Sequence, residues 1–262
     1  YGLPAGAAPI LIGSPKGDRL IALSCLSRFI TARYAPSDAW TAVWRTILSW
    51  VLRSDQHPEL DWRPIVRATY ADGAVLPPDA ESSAFERSVG WLRSNAIFSV
   101  DTRKGVMEGF ESAVDHMGRQ FPRFVVRGDC TAESAMVLAY HWQRTRNPDS
   151  RRVAESVLDH LWLSDAFYQS DPNSPAYGHM NWNEGNPVFY GDDNARVIIP
   201  SLTAARLLDI DRWNDRILHC ICANYRTIGP GGFRRARLGL SRIIDDGRPW
   251  MFYRDHDLTH FA

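Results

Sequence analysis

Apolar residues recur at two different spacings along this chain, and the change from one spacing to the other divides it. Near the N-terminus two apolar runs, 8–13 and 19–26, flank a turn that contains proline and glycine, which predicts a β-hairpin. Residues 37–53 then carry apolar side chains at helical spacing, beginning at Ser37, a residue type favoured at helix N-caps. We therefore expect a β-hairpin followed by a helix, a segment too short to bury a core of its own.

A connector separates this segment from the rest. Residues 54–83 are polar and rich in turn-forming residues, so they are interpreted as irregular. Residues 62–70 form a candidate edge strand, because Pro64 excludes a central position in a sheet. The pattern predicts two domains, 1–75 and 76–262.

Helical spacing dominates the second domain. Residues 84–98 predict one amphipathic helix, whereas 104–126 are not periodic and are interpreted as a long loop with room for short strands. Two αα-hairpins follow, at 131–163 and 193–228. Five helices are therefore expected between residues 84 and 228.

The first helix of the second hairpin has two distinctive features. Ala195, Ile198, Leu202 and Ala205 lie in register and predict its buried face. Pro200 removes a backbone donor from the same helix, which predicts a kink.

The two hairpins are preceded by related sequences. "RGDCTAE" at 127–133 and "YGDDNAR" at 190–196 each place Gly-Asp at a helix start, with an offset of 63 residues. Repeated αα-hairpins with long loops at one end are typical of an α/α toroid. The predicted fold is therefore mainly α, a partial (α/α)6 toroid with a small N-terminal α/β remnant made of a β-hairpin and a helix.

Candidate acids lie at these helix starts. One aspartate of the Asp192–Asp193 pair suffices as an N-cap, and both favour the positive end of the helix dipole. The alternative is that the other aspartate is a general acid or base in a shared cavity, which would bring Asp129 close. Neighbouring carboxylates raise one another's pKa, which suits one as acid and one as base. Glu108, in a glycine-flanked loop, is the fourth candidate, with a solvated loop acid as the alternative.

A second group of residues has the chemistry of a sugar site. Residues 179–186 combine amides, an indole and a carboxylate, which can hydrogen-bond a polyol and stack on its face. The alternative is a polar turn whose tryptophan packs on the core. The candidate substrate-binding residues are His179, Asn181, Trp182, Glu184, Tyr190, Arg196, Trp250 and His256.

Metal and cofactor motifs have little support. His256 and His260 have the i,i+4 spacing of metal ligands on a helix, but no third ligand accompanies them. A solvated chain end and a substrate contact by His256 are the other interpretations, so no metal is assigned. Neither GxxxxGK[ST] nor a strand-borne GxGxxG occurs, so no cofactor is expected.

Charge gives no reason to expect a nucleic acid or a membrane as partner. Lys plus Arg and Asp plus Glu number 30 each, so no basic surplus exists to attract phosphates or anionic lipids. No apolar run approaches the roughly 20 residues that span a bilayer. A carbohydrate is the expected partner, and the oligomeric state is left open.

Several motifs resemble known families. "GVMEGFESAVDHMGRQ", "RGDCTAESAMVLAYHW", "NPVFYGDDNARVIIPSL" and "ANYRTIGPGGFR" resemble the six-hairpin (α/α)6 glycosidases. Residues 17–52 resemble the closing segment of a class I glutamine-amidotransferase-like α/β domain, without its Cys-His-Glu motif, so no amidotransferase activity is implied. The glycosidase resemblance favours a periplasmic or secreted protein. Because the chain opens "YGLPAGAAP" without a basic signal-peptide region, it is interpreted as an internal fragment.

The resemblance implies a glycoside hydrolase acting on a poly- or oligosaccharide. In such enzymes acids at the loop ends of inner helices protonate the glycosidic oxygen and activate water or attack the sugar. The matching positions are Asp192 or Asp193 as acid and Asp129 or Glu108 as base.

Two other functions stay open. The same loops would serve a non-catalytic glycan-binding or scaffold protein. A polysaccharide lyase would use Tyr190 or His179 as base, with Arg196 neutralising a uronic acid.

Overall fold

The computed structural model separates the chain into two compact units. Unit 1 comprises Tyr1–Pro77 and Phe110–Phe121, and unit 2 comprises Pro78–Gly109 and Pro122–Ala262. The structure describes residues 11–14, 16–22, 37–54, 56, 59–60, 69–71, 73–94, 104–114, 119–228, 232, 234 and 236–246. Most of the predicted edge strand, together with Trp250, His256 and His260, lies outside the described residues.

Unit 1 contains the elements predicted for the N-terminal segment. Strands β1 (Leu11–Gly13) and β2 (Leu20–Ala22) pair antiparallel, with Ile12 opposite Ile21. Helix α1 (Ser37–Leu52) begins at the predicted residue. The prediction of a hairpin followed by a helix is therefore confirmed over the described residues.

The protein is mainly helical, and all five helices predicted between residues 84 and 228 are present in unit 2. The region 104–126, predicted as a long loop with room for short strands, contains two strands of eight and seven residues that form a two-stranded sheet. Two further elements among the described residues were not predicted: a short strand pair that joins 188–190 to 237–239, and a seventh helix at 240–246. The remaining elements are α2 (Ala80–Ser94), β3 (Met107–Val114), β4 (Gln120–Val126), α3 (Gly128–Thr145), α4 (Pro148–Leu163), β5 (Val188–Tyr190), α5 (Gly191–Leu208), α6 (Asn214–Arg226), β6 (Arg237–Gly239) and α7 (Leu240–Asp246).

The first αα-hairpin follows from local sequence. Helix α3 buries small and apolar residues such as Ala135 and Leu138 completely, and it packs against both α4 and α5. At the start of α4, the Asn147 side chain accepts a hydrogen bond from the backbone nitrogen of Ser150 at 3.2 Å, and Pro148 follows this N-cap. An asparagine cap followed by proline is a strong helix-start signal, which explains the short turn between the two helices.

The buried face of α5 differs from the predicted one. Of the four residues predicted to be buried only Ala205 is, whereas Ala195 and Leu202 are exposed and Ile198 is half-buried. The helix continues through Pro200, and the kink stays a prediction. The buried positions are Asp193, Asn194, Val197, Pro200, Ser201, Ala204, Ala205 and Leu208.

Polar partners explain this rotation of the helix. The Ser201 hydroxyl accepts a hydrogen bond from the indole nitrogen of Trp162 at 2.9 Å. The Asn194 amide accepts from the backbone nitrogen of Met180 at 3.2 Å and donates to its carbonyl oxygen at 2.9 Å. Because buried polar groups with partners are tolerated in a core, α5 turns these residues inward and leaves some apolar ones in solvent.

The backbone repeats the same connection at the starts of α3 and α5. The Gly128 nitrogen donates to the carbonyl oxygen of Trp182 at 3.1 Å, and the Gly191 nitrogen donates to that of Ala236 at 3.0 Å. Each helix start is therefore bonded to the segment that follows its own hairpin. Among the described helices, none has a stretch both long and apolar enough to span a bilayer.

Candidate functional site

Carboxylates from three elements meet on one guanidinium group, that of Arg127. Its Nη2 donates to Asp129 Oδ2 at 3.0 Å and to Asp193 Oδ1 at 2.5 Å, and its Nη1 donates to Glu108 Oε1 at 3.1 Å. These acids come from β3, α3 and α5. The structure thus brings together three of the four candidate acids, around an arginine that the sequence analysis did not identify.

Arg127 is held as a cation inside this cluster. Burial lowers the pKa of Arg127, but the charges of Asp129 and Asp193 and the hydrogen bond to Asp193 outweigh it, so the net change is upward. A permanently charged guanidinium with carboxylates on several of its donors is a typical buried ion-pair centre.

Asp129 does not fit its predicted role as a catalytic base. Its side chain is 1% exposed, and Oδ2 accepts from both Arg127 and Arg196, the latter at 2.7 Å. Oδ1 accepts from the backbone nitrogen of Cys130 at 2.8 Å. Because both oxygens are occupied and the side chain is buried, Asp129 orients the two arginines in this structure.

Asp193 holds its proton unusually strongly for an aspartate. Burial raises its pKa, the charge of Asp129 raises it further, and the charge and hydrogen bond of Arg127 lower it; the result is a pKa of about 6. Asp193 is therefore a carboxyl that exchanges a proton close to neutral pH, as proton donors in active sites do.

The Asp192–Asp193 pair does not cap its helix. Tyr190 is the N-cap of α5 and makes no side-chain capping bond, so both aspartates lie inside the first turn. The N-cap interpretation is therefore wrong, although both carboxylates still lie at the positive end of the helix dipole.

A pocket of about 370 Å³ opens at the start of α5. The rings of Trp182 and Tyr190 meet edge to face, with centroids 6.0 Å apart and an 84° angle between planes. The Arg127 guanidinium carbon lies 5.6 Å from the centre of the Trp182 ring, a cation–π distance. The lining residues are Arg127, Trp182, Tyr190, Asp192, Asp193 and Arg196.

Besides Asp129, four predicted site residues that the structure describes do not line this pocket. Glu108 is paired with Arg123 at 3.3 Å as well as with Arg127. Asn181 is buried, accepts from Gln169 and donates to the carbonyl of Ala166. The other two residues are Glu184, which pairs with His160 at 3.3 Å, and His179.

His179 is part of the core and does not line the pocket, a placement that does not favour its predicted role as a substrate contact or lyase base. It is fully buried and its ring stacks on Phe189, with centroids 4.9 Å apart and planes at 19°. Burial, followed by the charges of Arg234 and Arg226, holds the pKa of His179 well below its usual range. Burial of this kind favours the neutral imidazole, which here packs as part of the core.

The sequence analysis did not identify two residues of this charged cluster, Arg127 and Glu133. Arg196 donates two hydrogen bonds to Glu133, from Nε at 2.7 Å and from Nη2 at 2.9 Å. Glu133 and Arg196 are separated by the same 63 residues as the repeated glycines. Opposite charges at equivalent positions of neighbouring repeats were the available signal for this pair. For Arg127, only its position beside the repeated Gly-Asp was informative.

The structure does not favour Cys130 as a nucleophile. Burial, and then the charge of Asp129, raise the pKa of Cys130 to about 12, so its sulfur stays a neutral thiol and a poor nucleophile. Over the described residues, no group of three or more His, Cys, Asp or Glu side chains is arranged to hold a metal ion.

Fold and pocket together define a mainly helical protein with an arginine-centred carboxylate cluster beside an aromatic pocket. No protein-family model, curated protein or solved structure matches the chain. Its function therefore has to be argued from the site.

The raised pKa of Asp193 predicts a pH-dependent contribution to stability. Because its pKa rises from 3.8 to about 6 on folding, the folded chain binds this proton more tightly than the unfolded chain. The resulting stabilisation is full below about pH 4 and is lost as the pH rises through about 6. Urea unfolding of the wild type and of Asp193→Asn between pH 4 and 8 measures it. The free energy of unfolding of the wild type, relative to the variant, should decline across this range; a constant difference would contradict the assignment.

Proposed function

We propose that unit 2 belongs to a glycoside hydrolase and that Asp193 donates the proton to the glycosidic oxygen. The observation that carries this proposal is Asp193 itself, which lines a pocket with Trp182 and Tyr190 and has a pKa of about 6. Glycosidases need one carboxyl that is still protonated near neutral pH, beside a surface on which a sugar ring can stack.

The fold proposed for this enzyme is a partial (α/α)6 toroid. Support comes from the two hairpins, in which α3 packs against α5 while each pairs with its own partner helix. Both α3 and α5 start with Gly-Asp and with the same type of backbone bond to a later loop. A ring of hairpins repeats such contacts from one inner helix to the next. Unit 1 is proposed to be the end of an amidotransferase-like α/β accessory domain.

The pocket suggests a revised division of roles. Asp192 and Asp193 are the two carboxylates that line it, so Asp192 takes the second role, activating water or attacking the sugar. Glu108 and Asp129 act behind them by holding Arg127. Trp182 and Tyr190 present nearly perpendicular rings, one of which stacks on the sugar face while the other bounds its edge.

Asparagine variants test the proposal. Asp193→Asn removes the proton donor and leaves the shape of the side chain, so kcat on a cleaved glycan should fall by roughly 10²–10⁴-fold. Asp192→Asn should cause a comparable loss. Asp215→Asn is the matched control, because Asp215 is an exposed aspartate in the first turn of α6. The assay is reducing-sugar release from a panel of plant and microbial glycans.

The outcomes separate the candidate functions. Full activity in both pocket variants would contradict the roles proposed for this pair. Products that absorb as an unsaturated sugar would identify a lyase, for which Tyr190 and Arg196 remain in the pocket. Lack of turnover on every glycan would contradict the hydrolase proposal.

A non-catalytic glycan-binding protein is the second candidate. The observation that favours it is the 2.5 Å contact between Arg127 Nη2 and Asp193 Oδ1. A carboxylate that a guanidinium holds in place can form part of a fixed binding surface just as it can serve as a proton donor. Sugar binding that persists in Asp193→Asn, in a protein that cleaves no glycan, would support this function.

A further inference from the structure

We infer that the pocket accepts uncharged or amino-bearing sugars and discriminates against sugars that carry a carboxylate. The inference rests on the proposed function, because it takes a saccharide as the ligand. It concerns the two arginines that line the pocket, Arg127 and Arg196. Two guanidinium groups beside aromatic rings would ordinarily indicate a site for acidic sugars, since arginine pairs with carboxylates through two parallel hydrogen bonds.

The Nε–Nη2 edge of Arg196 is already hydrogen-bonded within the protein. Its Nε and Nη2 donate to the two carboxylate oxygens of Glu133 at 2.7 and 2.9 Å. Its Nη1 lies 2.7 Å from Asp129 Oδ2. A uronic acid would have to displace Glu133 to obtain a bidentate contact with this arginine.

Arg127 is also engaged by carboxylates of the protein, through its two Nη atoms. Nη2 contacts both Asp129 and Asp193, and Nη1 contacts Glu108. Both donors of the outer guanidinium edge therefore point at carboxylates of the protein. Neither arginine has two adjacent N–H donors free to bind a ligand carboxylate through two hydrogen bonds.

The other charged residues near the pocket do not make it basic. Arg123 bonds Glu108, and the buried Arg234, which passes beside Gly191, donates to the side chain of Asn224 and to the carbonyl of Phe189. The pocket wall itself includes the carboxylates of Asp192 and Asp193. Carboxylates accept hydrogen bonds from sugar hydroxyl or ammonium groups and repel a ligand carboxylate.

Binding of matched sugars tests the inference without requiring turnover. The probes are the methyl glycosides of glucose, glucosamine and glucuronic acid, and the corresponding three of the galactose series, titrated by calorimetry on the full chain. Within each series we expect the uronic acid to bind roughly tenfold more weakly, or worse, than the uncharged member.

A gain-of-function variant makes the test specific for the occupied arginine. Glu133→Gln removes the charge that engages Arg196, so the affinity for the uronic acids should rise roughly tenfold relative to the uncharged sugars. Glu155→Gln is the matched control, because Glu155 is likewise ion-paired with arginine, with Arg151 at 2.7 Å and Arg212 at 3.4 Å, but does not line the pocket. It should leave the preference unchanged.

Three results would overturn the inference: uronic acids that bind the wild type as well as uncharged sugars do, a preference that Glu133→Gln does not change, or no binding of any probe. Failure of the proposed function is distinguished by the glycan cleavage assay. Selective binding without cleavage contradicts only the hydrolase, and cleavage combined with unselective binding contradicts only the present inference.

Discussion

Replacing Arg127 with alanine is expected to lower the free energy of unfolding by about 3–5 kcal/mol. The substitution removes the cation shared by Asp129, Asp193 and Glu108. The side chain of Asp193 is 5% exposed, so water cannot replace the lost guanidinium there, whereas Asp129 keeps its contact with Arg196. Uncompensated buried charge is among the most destabilising results of a single substitution.

Arg123→Ala is the matched control for this prediction. Arg123 also bonds Glu108, at 3.3 Å, but its side chain is 45% exposed, so its loss should cost at most about 1 kcal/mol. Urea unfolding at pH 7 measures both variants. The deficit of Arg127→Ala should shrink at about pH 4, since protonated carboxyl groups no longer need a cation. Equal losses for the two arginine variants would contradict the central role of Arg127.

The helices could be predicted because their signals are local. Leu138 and Ala139 of α3, and Val157 and Leu161 of α4, recur at helical spacing and are completely buried. The start of α4 has its own signal, an asparagine followed by proline. Such information is contained within one turn of helix and does not depend on the rest of the chain.

The face of α5 could not be predicted in the same way. Asn194 and Ser201 lie inside because residues far away in sequence, Met180 and Trp162, supply their hydrogen-bond partners. A hydrophobicity pattern assigns polar residues to solvent and cannot see such partners. Ile199 is 65% exposed for the converse reason, since the polar contacts set the rotation of the helix.

The same distinction between local signals and long-range contacts applies to the candidate site. The repeated Gly-Asp, with its offset of 63 residues, pointed to Asp129 and Asp192. The aspartates that lie on Arg127 are Asp129 and Asp193, so the structure selects the neighbour of the repeated residue. The burial of Asp129 and His179 depends on how the loops close over the helix starts, which no spacing within the sequence reports. The repeat therefore predicted which helix starts meet, and the three-dimensional contacts decide which acids share Arg127 and which reach the pocket.

Gly178→Ala is expected to destabilise the protein by about 3–5 kcal/mol, because two unfavourable effects coincide. Gly178 has a φ of +89°, a backbone conformation that alanine adopts only with strain. An added Cβ would also lie 2.6 Å from the carbonyl oxygen of His219. That oxygen belongs to the backbone of α6, so it cannot move aside as a flexible side chain would, and the loop that carries Trp182 would have to shift.

Gly185→Ala isolates the steric part of this effect. Gly185 lies in the same loop with a φ of +71°, but an added Cβ would meet no atom within 4 Å. Backbone strain alone should therefore cost about 1–2 kcal/mol there. Urea unfolding followed by tryptophan fluorescence compares the two variants. A loss at Gly178 no larger than at Gly185 would mean that the loop does not approach α6 as closely as the structure has it. A clearly larger loss, accompanied by weaker sugar binding in the folded variant, would tie this contact to the position of Trp182 in the pocket.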